Sequence, residues 1–112
     1  MAIKRTLKDN ILDIKLMTSA ELCRTFGVRL KLQRLSKKIK QQDLADMAGV
    51  SVGTIKNIEL KGQSSLESLI KVVIALDLAN ELSELFKMRL SSISQMEQVD
   101  KIMNAKVQKR VR

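Results

Sequence analysis

A chain of 112 residues provides for one compact domain and is too short for two ordinary ones. With 45% hydrophobic residues against 29% charged it can bury a core, and with Phe26 and Phe86 as its only aromatics, no Pro and four Gly, its inventory is helix-forming, so an all-α fold is expected. The net charge of +9 and the pI near 10.0 call for a polyanionic partner, and the lack of Tyr, Trp and His argues against single-stranded nucleic acid and RNA, which are read by stacking bases on aromatic rings.

Residues 1–17 carry Lys4, Arg5, Lys8 and Lys15 against Asp9 and Asp13 without a clear helical or strand rhythm. They read as a basic N-terminal arm, either solvated or wrapped onto phosphates, or as a short helix in which Ile11, Leu12, Ile14 and Leu16 cover part of a core. Thr18 with Glu21 three residues on is a capping-box signature for a helix start. Leu22, Phe26 and Leu30 then follow at intervals of four, with Arg24, Arg29, Lys31 and Lys38 on the other side. Cys23 reads as a small buried hydrophobe of this helix.

The next step along that apolar stripe is Arg34. A buried, uncompensated charge costs several kcal/mol, so Arg34 either has a carboxylate partner, with Glu59 the candidate, or lies at the edge of the stripe with its guanidinium in water. After the basic turn Lys37 to Lys40, a second helix is expected over residues 41–48, with Leu44, Ala45 and Ala48 on one face and Asp43 and Asp46 outward. Ala45 is the small residue that two steeply crossing helices require. Gly49 suits the left-handed residue that ends the second helix, Val50 plugs the core beneath the turn, and Ser51 caps a third helix over residues 52–60. In that helix Ile55 and Ile58 face inward, leaving Val52, Gly53, Lys56 and Asn57 outward, and Lys61 and Gly62 close it.

Ser64 with Glu67 predicts the start of a fourth helix, with Leu66, Leu69, Ile70, Val73 and Leu76 as its core face. Asp77 or Asn80 is suited to cap a fifth, containing Leu82, Leu85 and Phe86. Residues 18–86 therefore form one bundle, and residues 87–112 a basic C-terminal extension with seven basic residues against Glu97 and Asp100. Within it Ser94 and Glu97 are suited to start a helix with Met96, Val99 and Met103 along one side, followed by the basic end VQKRVR. This extension reads either as a frayed tail or as a partner-binding or phosphate-binding segment.

No apolar run is long enough to span a bilayer, and the N-terminus has no signal-peptide core, so a cytoplasmic location is expected. One Cys and no His leave no intramolecular disulfide and no plausible zinc constellation, and no metal or cofactor is expected. Neither a nucleophile with its base nor a phosphate-cradling glycine loop is present, so an enzyme is not expected.

At Gln41, Leu44, Ala45, Gly49, Val50, Ser51, Ile55, Ile58 and Glu59 the chain resembles the lambda-repressor-like (Cro and phage-repressor, XRE) helix-turn-helix family. The pattern Q-x-x-L-A-x-x-x-G-V-S-x-x-T-I-x-x-I-E is matched throughout, and with its flanking helices the resemblance covers about residues 20–86. It implies a five-helix bundle and a dimeric, sequence-specific binder of double-stranded DNA that acts as a transcriptional repressor. It also implies a structural ion pair between Arg34 and Glu59, a phosphate contact for Gln41, and groove-facing positions at Ser51, Val52, Gly53, Lys56 and Asn57. Asn57 is the candidate base reader, since its paired donor and acceptor match adenine. Lys56 is placed to reach guanine or phosphate, and Lys61 and Gln63 to reach phosphate. At Val52 and Gly53 the chain departs from the best-known members, which carry polar amides there. Val52 is then expected to meet a thymine methyl and Gly53 either to let the backbone approach closely or to be a tolerated surface glycine. Base readout becomes thinner and DNA shape matters more. The basic ending is also similar to that of HipB-type antitoxins encoded beside kinase toxins, which makes a toxin-antitoxin role with a toxin partner the alternative. A protein-interaction module without DNA binding is the rival from outside nucleic-acid recognition.

Overall fold

The computed structural model describes residues 14–89 and 92–111, with side chains through residue 105. The N-terminal arm before Ile14 lies outside the described residues, and so do Ile11 and Leu12. Among the described residues there are five α-helices and no strand: α1 (Ser19–Ser36), α2 (Gln41–Ala48), α3 (Val52–Lys61), α4 (Leu66–Ala75) and α5 (Ile93–Val111). Two 3-10 turns, Ile14–Leu16 and Ala79–Leu82, complete the list of elements. The all-α expectation holds.

Local chemistry sets the helix ends. Thr18 accepts a hydrogen bond from the Glu21 amide at 3.2 Å, and Ser51 accepts one from the Thr54 amide at 3.1 Å. Each satisfies one of the amides a helix N-terminus leaves without a partner. Gly49 and Gly62, with φ of 70° and 66°, end α2 and α3 in the left-handed conformation. Two caps fall one or two residues from where the sequence motif places them. Ser65 rather than Ser64 caps α4, accepting from the Ser68 amide, and Ser92 rather than Ser94 caps α5, accepting from the Gln95 amide. Neighbouring serines carry the same hydroxyl, so the motif alone does not choose between them.

The core is Leu30, Leu44, Ala45, Ile55, Ile58, Val72, Val73 and Leu76, drawn from α1 to α4 and the turn after α4. Glycine lets two pieces of backbone meet. A Cβ on Gly27 would run into the Ile58 carbonyl of α3, and one on Gly62 would run into the Cys23 carbonyl of α1. The α1–α3 crossing is therefore backbone against backbone.

That crossing rotates α1 from the expected stripe. Thr25, Gly27, Leu30 and Arg34 are buried, whereas Phe26 is 42% exposed. Cys23 is exposed rather than buried, because its helix meets α3 through backbone at this level. In α4 the buried face is Val72 and Val73, continued by Leu76 at its C-cap and with Leu69 packed beside it, while Leu66 and Ile70 of the expected face are exposed with Ile74. The run LIKVVIAL is apolar on too many sides to define a single phase.

The expected fifth helix of the bundle is the 3-10 turn Ala79–Leu82. Leu82 packs against the core, but Phe86 is 96% exposed. The Ser83 hydroxyl donates to the Asn80 carbonyl at 2.8 Å, a local bond that competes with helix propagation. Asp77 and Phe86 have φ of 61° and 58°, so the chain takes a left-handed step at both ends of this segment. The fifth α-helix is instead the long α5 of the C-terminal extension.

Candidate nucleic-acid interface

Helices α2 and α3 are joined by Gly49, Val50 and Ser51. The Val50 amide donates to the Ala45 carbonyl at 3.0 Å, folding the chain back under α2. Ala45, 1% exposed, sits in the core where the two helices approach. Val50 packs against the core, so the turn is anchored from beneath.

The orientation of α3 is held by a buried charged cluster. Arg34 Nε donates to Glu59 Oε2 at 2.6 Å and Arg34 Nη2 donates to Glu59 Oε1 at 2.9 Å, a bidentate pair. Arg34 Nη1 donates to the Ile39 carbonyl at 2.7 Å, and Gln41 Nε2 donates to Glu59 Oε1 at 3.0 Å. One carboxylate and one guanidinium thus join α1, the turn after it, the first residue of α2 and the last part of α3. Among the described residues no buried side-chain nitrogen or oxygen lacks a partner, so this cluster is fully satisfied. The hydrogen bond and charge of Glu59 raise the Arg34 pKa above its already high value against the opposing effect of burial, so the guanidinium stays cationic. The stripe argument points to a carboxylate partner for Arg34, and Glu59 is that partner. The second tie, through Gln41, has no separate signal in the sequence.

With Ile55, Ile58 and Glu59 buried, the opposite face of α3 is solvent-facing and consists of Gly53, Lys56, Asn57, Leu60 and Lys61. Leu60 is 74% exposed. At 100° per residue it lies only about 20° from Gly53, in the middle of that face, so a helical wheel singles it out. It was not among the expected groove residues. Val52 shows the reverse: it packs partly against the core instead of standing outward, because it lies near Glu59 on the wheel. Its reach toward a base is correspondingly reduced. Ser51 is exposed, but its hydroxyl lies 2.9 Å from that of Thr54 as well as capping α3. Around Gly53 space is open; an added Cβ would meet only the Ser51 hydroxyl at 3.7 Å. Among the described residues no packing constraint requires glycine there.

Beside this face, the N-terminus of α2 carries no side-chain cap, since its Ncap residue is Lys40. Lys37, Lys38 and Lys40 are all exposed there, and Lys38 has φ 58°. Gln41 is half-buried, and its Nε2 has a second N–H beyond the bond to Glu59. Lys61 and Gln63 are exposed at the far end of α3.

Two helices at a tight glycine turn, the second fixed by its inner face and bare on its outer one, define a helix-turn-helix DNA-binding domain. The family model described as helix-turn-helix matches residues 30–79, and this segment is a helix-turn-helix of the XRE, or lambda-repressor-like, family. No curated protein matches the chain. Among the described residues, no helix is long and apolar enough to cross a membrane.

Proposed function

We propose that the protein is a transcriptional repressor that binds an operator in double-stranded DNA as a homodimer, in the cytoplasm and without catalytic chemistry. The observation that carries this reading is the exposed α3 face held by the Arg34–Glu59–Gln41 cluster: a rigid helix presenting Lys56, Asn57 and Leu60 beside a glycine. In the major groove Asn57 reads an adenine edge, Lys56 a guanine or a phosphate, and Leu60 a thymine methyl. Gly53 lets the α3 backbone approach the DNA, which accounts for a glycine that no neighbour in the chain demands. The uncapped N-terminus of α2, with Lys37, Lys38, Lys40 and the free N–H of Gln41, holds a phosphate; Lys61 and Gln63 hold another. Two copies on a twofold axis present their α3 helices about 34 to 36 Å apart, one helical turn of DNA.

Selection of bound duplexes from a random pool, followed by binding of Asn57→Ala to the selected site, tests this reading. The expected result is an enriched palindrome-like site at which Asn57→Ala costs about 1 to 3 kcal/mol and relaxes preference at one base pair. A wild-type chain that enriches no site, or binding that does not fall with salt, would overturn it.

An antitoxin role is the second reading, favoured by the exposed apolar side chains Met96 and Met103 of α5. A kinase-like protein that copurifies with the full chain and is lost on removal of residues 87–112 would support it.

A further inference from the structure

Among the described residues two apolar surfaces are left uncovered. One is a groove of about 620 Å³ walled by α1, α4 and the 3-10 turn, with Phe26, Leu30, Leu69, Val73, Leu82 and Leu85 in its lining. The other is the row Met96, Val99 and Met103 of α5, at spacings of three and four, with both methionines exposed. Grouped apolar side chains left open in this way are candidates for contact sites.

The two fit each other in length and in charge. Along the α1 wall, Phe26 to Gln33 is about 10.5 Å of helical rise, the same as Met96 to Met103 on α5. Arg29 lines the groove, half-buried, and among the described residues the ion pairs are Arg34–Glu59 and Lys71–Glu67, so Arg29 has none. On α5, Asp100 and then Glu97 border one side of the apolar row, about 40° and 100° round from Met96. An acidic border against a lone groove arginine is complementary. Glu81 stands on another wall of the groove, on the 3-10 turn, and so sets the direction of the incoming helix: acidic border toward α1, away from Glu81.

We infer that the groove seats α5 of a second copy of the chain, reciprocally, so that the dimer is built by exchanged C-terminal helices. The second copy is the occupant because its α5 matches the groove in charge and, among the described residues, nothing closes the groove from within one chain. No described lining residue comes from α5, and Met96 and Met103 are exposed. A stable dimer buries about 1,600 Å² in total, and a twofold axis makes the helix-in-groove contact twice, so each contact has to bury only about half of that. This inference rests on the homodimer reading above and names its interface, which places self-association away from the α3 face.

The test is sedimentation equilibrium on the full chain and its variants. Met96→Glu with Met103→Glu keeps helix formers at exposed positions, and it is expected to raise the dimer dissociation constant by at least about tenfold while circular dichroism stays unchanged. Arg29→Glu and Asp100→Arg should each weaken the dimer, and the two together should restore it to within about threefold of wild type. A dimer unaffected by the α5 changes would overturn the groove assignment and leave the homodimer reading standing. A wild-type chain that is monomeric throughout would overturn both, leaving α5 for a different protein. Loss of the dimer on Ile70→Glu but not on the α5 changes would move the interface to the exposed side of α4 and likewise overturn it.

Discussion

The two ends of the bundle are finished differently. Around α2 and α3 every helix end is closed by a cap or a left-handed glycine, save the bare α2 N-terminus, and the crossings are backbone against backbone or tied by a satisfied ion pair. Around α4 and the 3-10 turn, apolar side chains are plentiful but uncovered: Leu66, Ile70, Ile74, Leu85 and Phe86 are all exposed. Among the described residues the first region is closed on its inner side and exposes one largely polar face of α3. The second leaves apolar side chains open among the described residues, which is what an interface for another polypeptide looks like.

Breaking the finished region should have the largest effect. Arg34→Ala leaves the Glu59 carboxylate buried without its counter-ion and the Ile39 carbonyl without its donor, a loss of about 3 to 5 kcal/mol. Chemical denaturation should show the midpoint falling at constant slope; a loss under about 1 kcal/mol would mean the pair is solvated in solution. Gly27→Ala comes next. Its methyl must push α1 away from the Ile58 carbonyl, for about 1 to 3 kcal/mol, and the displacement should weaken DNA binding along with stability.

Gly53→Ala separates the two measurements. The methyl meets open space within the chain, so melting should show a gain of about 1 kcal/mol, while affinity for the selected duplex should fall because the backbone no longer approaches as closely. Unchanged affinity would make Gly53 a tolerated surface glycine. The smallest effect belongs to the unfinished region: Ile74→Ser, on the exposed side of α4, should change the stability of the dissociated chain by less than about 0.5 kcal/mol in the same denaturation experiment. A loss of several times that would show this face to be covered by its own chain.

The same division runs through what can be read from residues alone. Thr18, Gly49, Ser51 and Gly62 act on atoms a few residues away, so their chemistry is written locally and the helix limits follow from it. Arg34 is legible because a charge interrupts an apolar stripe and demands an answer. Gly27 is not, since the carbonyl it makes room for lies 31 positions along the chain, on Ile58. The phase of α4 is hidden because apolar residues surround much of the helix, and only packing on α2 and α3 selects Val72 over Ile70. For the same reason Cys23 and Phe26 come out on the surface: α1 is turned by a backbone contact that a side-chain pattern does not record. Leu60, at the centre of the bare α3 face, was recoverable from helical geometry, but a leucine next to a helix end reads more readily as core than as a reader of bases.

The Arg34–Glu59 cluster also bears on how fast and how adaptably this domain meets DNA. Because one guanidinium reaches α3, the turn before α2 and, through Glu59, the amide of Gln41, the elements proposed to read bases and hold phosphate are tied to one another by hydrogen bonds. Nothing in that unit has to be ordered on contact beyond the free ends of Lys56, Asn57 and the surrounding lysines, so the entropy lost on binding is confined to a few side chains. Recognition then resembles docking of a preset stamp more than folding around a target. On the proposed reading, accommodating a mismatched operator falls to deformation of the DNA, because the cluster leaves the α2–α3 unit little compliance of its own.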